Sequence, residues 1–318
     1  MAFTEDIDKI VRESEAHDNS FFANCRDDSK RAHINDVAGM AVNWYLVTKH
    51  FGLSAQEYDA LLARRLKYAS GKKAKILQDL LVESAMISSD DLGIGHERLY
   101  AENGGAEIPH NERIHYKLWG DMTKTLIKRT QHIHWPIAFP FGYGIPEDET
   151  ERKRAFKKSD EKERQDQLVK AFDVDHLDGL NIYNAGDTGL IHPSSYDLVE
   201  RIEDEFTSLE GGVAVYQTVE SIAYNIVVAY SDLMQRMGSG EKPMFTERDL
   251  VYLEIHKPLE KDHDTQSTRM VDLADQYFGQ RYRPVIETKV RELSGLFGQF
   301  WNGMNDIVFK GETREPTS

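Results

Sequence analysis

Residues 211–237, GGVAVYQTVESIAYNIVVAYSDLMQRM, are apolar at nearly every helical position. A helix that is hydrophobic all round cannot lie on a surface, so it belongs in the middle of a domain with other helices packed about it. Its one acidic or basic side chain between Gly212 and Asp232 is Glu220. A buried carboxylate without a partner costs several kcal/mol or stays protonated, so Glu220 requires a hydrogen-bonding residue or a cation beside it. A Tyr or Arg would suffice, and other segments of the chain offer a metal instead.

Helical periodicity dominates elsewhere too. Val37, Met40, Ala41, Trp44, Tyr45, Val47 and Thr48 recur at spacings of three and four, and strand-like alternation is scarce. Ser54 three residues before Glu57 reads as a capping box opening a further helix. Residues 72–92 should form a helix ending near Gly93, residues 111–131 the next long one, and residues 283–304 a last amphipathic one. Thr246 before Asp249 is a capping signal for a helix over 246–278 that contains Pro258. The expected fold class is all-α, with one helical domain over 31–310 between a polar segment 1–30, dispensable for chemistry, and a frayed tail 311–318.

One region resists this pattern. Residues 132–146 carry too many Pro, Gly and aromatic residues for a regular element, and 147–170 hold eight acidic and eight basic residues. Balanced charge describes a solvated helix or a surface excursion, so 140–195 reads as an insertion outside the ligand-bearing helices.

The metal-ligand candidates lie at helical spacings. His256, Glu260 and His263 stand at i, i+4 and i+7, which places two imidazoles and a carboxylate on one stripe, and Pro258 between them removes the bond to the Glu254 carbonyl. Glu112 and His115 form a second Glu-x-x-His, and Glu83 and Glu220 add single carboxylates on two other helices. Taken singly, each has a plain alternative, such as a solvent-facing stripe, a His packed under Trp119 or a satisfied core Glu. Together, two Glu-x-x-His pairs and two further Glu residues are the ligand set by which helical bundles hold a di-iron or di-manganese centre. Asp91, Glu107 and His96 are rivals for the Glu112–His115 pair. Gly93 and Gly95 lack a phosphate-binding pattern and read as a helix terminus; His132 and His134 suit packing roles, and His192 before Pro193 a turn.

Composition narrows the classes of function. The single cysteine, Cys25, excludes every CxxC site and any internal disulfide, and a net charge of −15 argues against nucleic acid or an anionic membrane as the main partner. With an acidic, polar opening and no run of roughly 20 apolar residues, the expected location is the cytoplasm.

The order Glu112-x-x-His115, then Glu220 in VAVYQTVESIA, then His256-x3-Glu260-x2-His263 resembles the heme-oxygenase-like di-iron oxidases and oxygenases. The resemblance implies a heme-oxygenase-like helical bundle and two iron ions, with Glu112, His115, Glu220, His256, Glu260 and His263 as ligands and Glu220 bridging. The family usually has Asp where this chain has Glu260, and the gap from His115 to Glu220 is about twice the expected one, which the insertion fills. The ferritin-like p-aminobenzoate N-oxygenases are also similar, and in that reading Glu83 is a full ligand.

Either resemblance implies an O2-activating enzyme with a small organic substrate, and it admits an external electron donor and a homodimer. N-oxygenation, desaturation and C–C cleavage all fall within the expectation, with an amine or amino-acid-like substrate favoured by Glu83 alone. The alternatives are a metal-free heme-oxygenase-like protein of the thiaminase or quinone-cofactor type, and a helical interaction protein.

Overall fold

The computed structural model describes residues 3–30, 32, 34–94, 96–109, 112–130, 181–182, 191–237, 245–246 and 248–309. Among them every α- or β-type element is an α-helix, and no strand is present. The order is α1 Phe3–Arg12, α2 Ser20–Arg26, α3 Ile34–Leu66, α4 Gly71–Asp91, α5 Glu97–Glu102, α6 His115–Thr130, α7 Pro193–Glu205, α8 Leu209–Arg236, α9 Val251–Phe278 and α10 Arg283–Phe309. Short 3-10 turns at Arg248–Leu250 and Gln280–Tyr282 lead into α9 and α10. Among the described residues no helix is long and apolar enough to cross a membrane.

The apolar stretch behaves as its composition demands. α8 is the central helix, packed along α9 and α10 and against α2 and α3, while α3 carries α4 and α6 on its other flank. Ser208 caps α8 by accepting from the Gly211 amide, and Thr246 and Asp249 bond reciprocally ahead of α9. All ten helices contribute to one hydrophobic core. Trp301 of α10 is its aromatic hub, with ring centroids 5.7 Å from Phe21, 5.1 Å from Phe22, 5.1 Å from Trp44 and 4.6 Å from Phe300.

Three expectations need correcting. Residues 1–30 are not a polar extension: Phe3, Ile7 and Val11 form the buried stripe of α1, and Phe21 and Phe22 of α2 cover Trp301. Ser54 starts no helix, because α3 runs unbroken through it on a continuous buried face that includes Phe51, Ala55, Tyr58 and Leu62. The helix expected from residue 111 begins only at His115, a shift that leaves Glu112 off it. Of the insertion at 140–195, only 181–182 and 191–195 are described; Ile182 is buried with its amide donating to His50 Nε2, and Pro193 opens α7. His132, His134, the charged run 147–170 and the tail 311–318 lie outside the described residues.

The closest approach of α3 and α8 depends on a missing side chain. A β-carbon at Gly212 would overlap the Tyr58 ring, whose hydroxyl donates to the Leu209 carbonyl at 2.9 Å. Gly212→Ala is therefore expected to destabilise the fold by about 1–3 kcal/mol, the usual cost of overpacking a core. Urea denaturation should show this as a lower midpoint with an unchanged slope.

Candidate metal centre

Four helices deliver six ionisable side chains to one internal cavity: Asp91 from the end of α4, His115 from the start of α6, Glu220 from α8, and His256, Glu260 and His263 from α9. The three α9 residues all face inward and are buried, because spacings of four and three keep them on one stripe. Pro258 lies within the continuous helix between them. His115 and Glu220 are buried as well, and the Asp91 side chain keeps 17% of its exposure.

The six fall into two groups. In the first, His115 Nδ1 is 2.7 Å from Asp91 Oδ1 and 3.0 Å from His256 Nε2. His256 Nδ1 lies 2.5 Å from the Tyr252 carbonyl, which can only accept, so Nδ1 carries the proton and Nε2 turns its lone pair into the site. In the second group, His263 Nδ1 is 3.4 Å from Glu220 Oε2 and 3.7 Å from Glu260 Oε2, while its Nε2 is 2.9 Å from Asp90 Oδ2. Glu220, Glu260 and His263 offer ligand atoms within 4.8 Å of one another, a buried set that could hold a metal ion. Ligand atoms about 2.1 Å from one cation and roughly at right angles lie about 3 Å apart, close to the observed separations.

The electrostatics are those of a site built around missing positive charge. Burial pushes the Glu220 carboxyl up to about 7 against the pull of His263, and Glu260 and Asp91 push the same way. Burial likewise raises Asp91 to about 7, with Asp90 and Asp59 adding to it and His263 opposing. Burial lowers His115 and His256 to about 3, so both imidazoles are neutral, the form that binds metals. His263 is the exception. Burial would lower it too, but the hydrogen bond to Asp90 and the nearby carboxylates of Glu220 and Glu260 outweigh that and hold it well above the usual histidine value. Asp91 Oδ2 and Glu260 Oε2 are buried with no hydrogen-bond partner, so two orphaned acceptors face a set with one cationic neighbour. Donor set and orphaned oxygen of the Glu220, Glu260 and His263 group fit a divalent cation.

Two sequence candidates are displaced. Glu112 is exposed and lies before α6 rather than on it. The segment is held out of helical geometry by Arg113, whose Nε donates to the Ile108 carbonyl at 2.9 Å and whose guanidinium lies 4.7 Å from the Tyr100 ring centre. The carboxylate beside His115 is instead Asp91, the last residue of α4; in the turn that follows, Gly93 has φ +69° and a β-carbon there would overlap Arg113. Glu83 is buried but pairs with Arg269 at 2.8 Å and does not line the cavity. The rival Glu107 is exposed, and His96 bonds Asp90 rather than taking the place of His115. Gly93 follows the end of α4 as read from sequence, whereas His192, read as a turn residue, is the extended N-cap of α7 and accepts from the Ser194 amide. Sequence reasoning missed Asp90 and the Tyr252 carbonyl, for which spacing gives no signal.

Comparison of the chain with protein-family models, with curated proteins and with solved structures returned no match.

The revised ligand set has a direct test. Asp91→Asn, His256→Ala and His263→Ala should each lower metal stoichiometry or affinity with far-UV helicity nearly intact, whereas Glu112→Ala should bind metal as the wild type does. Metal analysis after gel filtration decides it; loss of metal in Glu112→Ala alone would restore the sequence assignment.

Proposed function

We propose that the chain is a non-haem di-iron enzyme that uses O2 to oxidise a small organic molecule, with Asp91, His115, Glu220, His256, Glu260 and His263 as its protein ligands. The observation that carries the proposal is the single cavity lined by all three carboxylates and all three imidazoles. Mixed carboxylate and imidazole donors on facing helices suit iron, since carboxylates offset the charge of two cations and histidines complete each sphere. Iron so held would supply the reduction of O2. The protein contributes a largely apolar pocket, a fixed tautomer at His256 and a buried carboxylate, Glu220, on the apolar helix α8.

The cavity walls also bear on the substrate. Beyond the six ligands they include Val47, Phe51, Val219, Ala223 and Phe297, and among the described residues no Lys or Arg lines them. The carboxylate of a zwitterionic amino acid would meet no Lys or Arg there and would lose hydration on entry. With Glu83 committed to Arg269 as well, the walls suit a substrate with a hydrocarbon body better than the amino-acid-like one expected from sequence.

Anaerobic addition of Fe(II) should load roughly two ions per chain, and admission of O2 should then produce O2 uptake that hydrocarbon-bodied compounds stimulate more than amino acids do. A folded protein that takes up no iron would sink the proposal and leave the metal-free helical alternatives. Glu220→Gln adds a second check. It should leave the apo protein as stable as the wild type or more so, since burial penalises the Glu220 charge, while abolishing O2 uptake; normal turnover in this variant would reduce Glu220 to a satisfied core residue.

A further inference from the structure

The chain leaves α4 at Asp91 and turns back at once to set His96 against the preceding residue. His96 Nε2 lies 2.6 Å from Asp90 Oδ1, and Asp90 Oδ2 lies 2.9 Å from His263 Nε2. One carboxylate thus spans two imidazoles, one at the surface and one in the centre: side-chain exposure falls from 37% at His96 to 14% at Asp90 and 3% at His263. Neither Asp90 nor His96 lines the cavity. His96 is also the only non-glycine residue with positive φ among the described residues, at φ 58° and ψ 25°. Residues with a β-carbon seldom hold that conformation unless their surroundings impose it, and such strain concentrates at functional sites.

We propose that Asp90 and His96 are a positioning pair for the metal centre: Asp90 fixes the ring orientation and tautomer of His263 so that Nδ1 takes the metal, and His96 fixes Asp90. This rests on the metal-binding reading above. The chemistry follows from which atoms can donate. A carboxylate only accepts, so the proton on His263 facing Asp90 resides on Nε2. Nδ1 is then the one nitrogen left to bind, and it is the nitrogen that faces Glu220 and Glu260. Without Asp90 the ring could rotate or exchange tautomers, and each wrong state would present an N–H to the cation. His96 donates to the other Asp90 oxygen, which sets the plane of the carboxylate and holds it on His263. The αL backbone at His96 is what returns the imidazole to the end of the helix the chain has just left.

The test uses Co(II) titrated into the intact chain by calorimetry, with Zn(II)-loaded, 15N-histidine-labelled protein for NMR. Asp90→Asn should weaken Co(II) binding by about 10–100-fold without changing stoichiometry, the usual effect of removing such a partner. His96→Ala should weaken it by a smaller factor, and His96→Asn should restore it, because asparagine tolerates a left-handed backbone and its amide can donate to Asp90. In the Zn(II)-loaded wild type, His263 should carry its proton on Nε2. Wild-type affinity in Asp90→Asn would overturn the inference, as would loss of a whole metal equivalent, which would make Asp90 a ligand. If Asp90→Asn does not fold, the surface pair decides: equal Co(II) affinity in His96→Ala and His96→Asn overturns it, and rescue by Asn supports it. A wild type that takes up no Co(II) overturns the metal reading and this inference together; uptake by the wild type with undisturbed variants overturns this inference alone.

Discussion

The structure depends on the placement of Asp91, Glu220 and Glu260 inside a helical core with His263 as their one cationic neighbour among the described residues. Burying carboxylates is unfavourable wherever a packed apolar residue would serve, so a stability argument alone would fill these positions with Leu or Met. The surrounding helices offset that cost. α8 contributes an almost wholly apolar surface around Glu220, and Tyr216, Ile222 and Ala223 beside it are buried. The cost of the cluster is met by packing elsewhere, so the cluster is not what stabilises the bundle.

Holding six side chains from four helices in register requires that those helices not slide. The aromatic network supplies much of that rigidity. Trp119 of α6 lies 5.3 Å from Tyr252 and 5.0 Å from Tyr230, so the helix that begins with His115 is keyed to both α9 and α8. Tyr252 in turn sits 4.1 Å from His256 and accepts its Nδ1 proton through the backbone. Local helix geometry, ring packing and ligand orientation are thereby one system, since displacing Trp119 would move α6 and α9 relative to the cavity.

The sequence made the long elements legible and the junctions less so. α4, α8 and α9 could be read because each carries a long stretch of apolar residues at helical spacing or on nearly every side, and the α9 triad needed only the helical repeat to be placed on one face. Glu112 was misplaced because Glu-x-x-His implies a shared face only if the helix has already begun, and the contacts of Arg113 with Tyr100 and Ile108 that delay it are tertiary. Asp91 entered only as a rival because its partnership with His115 is made across a turn. The α1 helix was hidden by composition: Phe3, Ile7 and Val11 follow a four-residue repeat, but the polar residues between them dominate the average. Ser54 failed for the opposite reason, a local capping signal overridden by the continuous buried face of α3.

The same geometry bears on the order of folding and metal binding. Small zinc domains are unfolded without their metal because the ion replaces a core they are too short to build. Here the core is extensive, and His263 carries a proton on the side facing Glu220 and Glu260, in the position a cation would take. His115 Nδ1 likewise points between Asp91 and His256. Protons therefore act as placeholders that keep the carboxylates apart and the cavity formed before any ion arrives. On the metal-binding reading proposed above, metal entry would be an exchange of cation for proton within a finished bundle, and its free energy would go into occupancy of the site rather than into forming the fold.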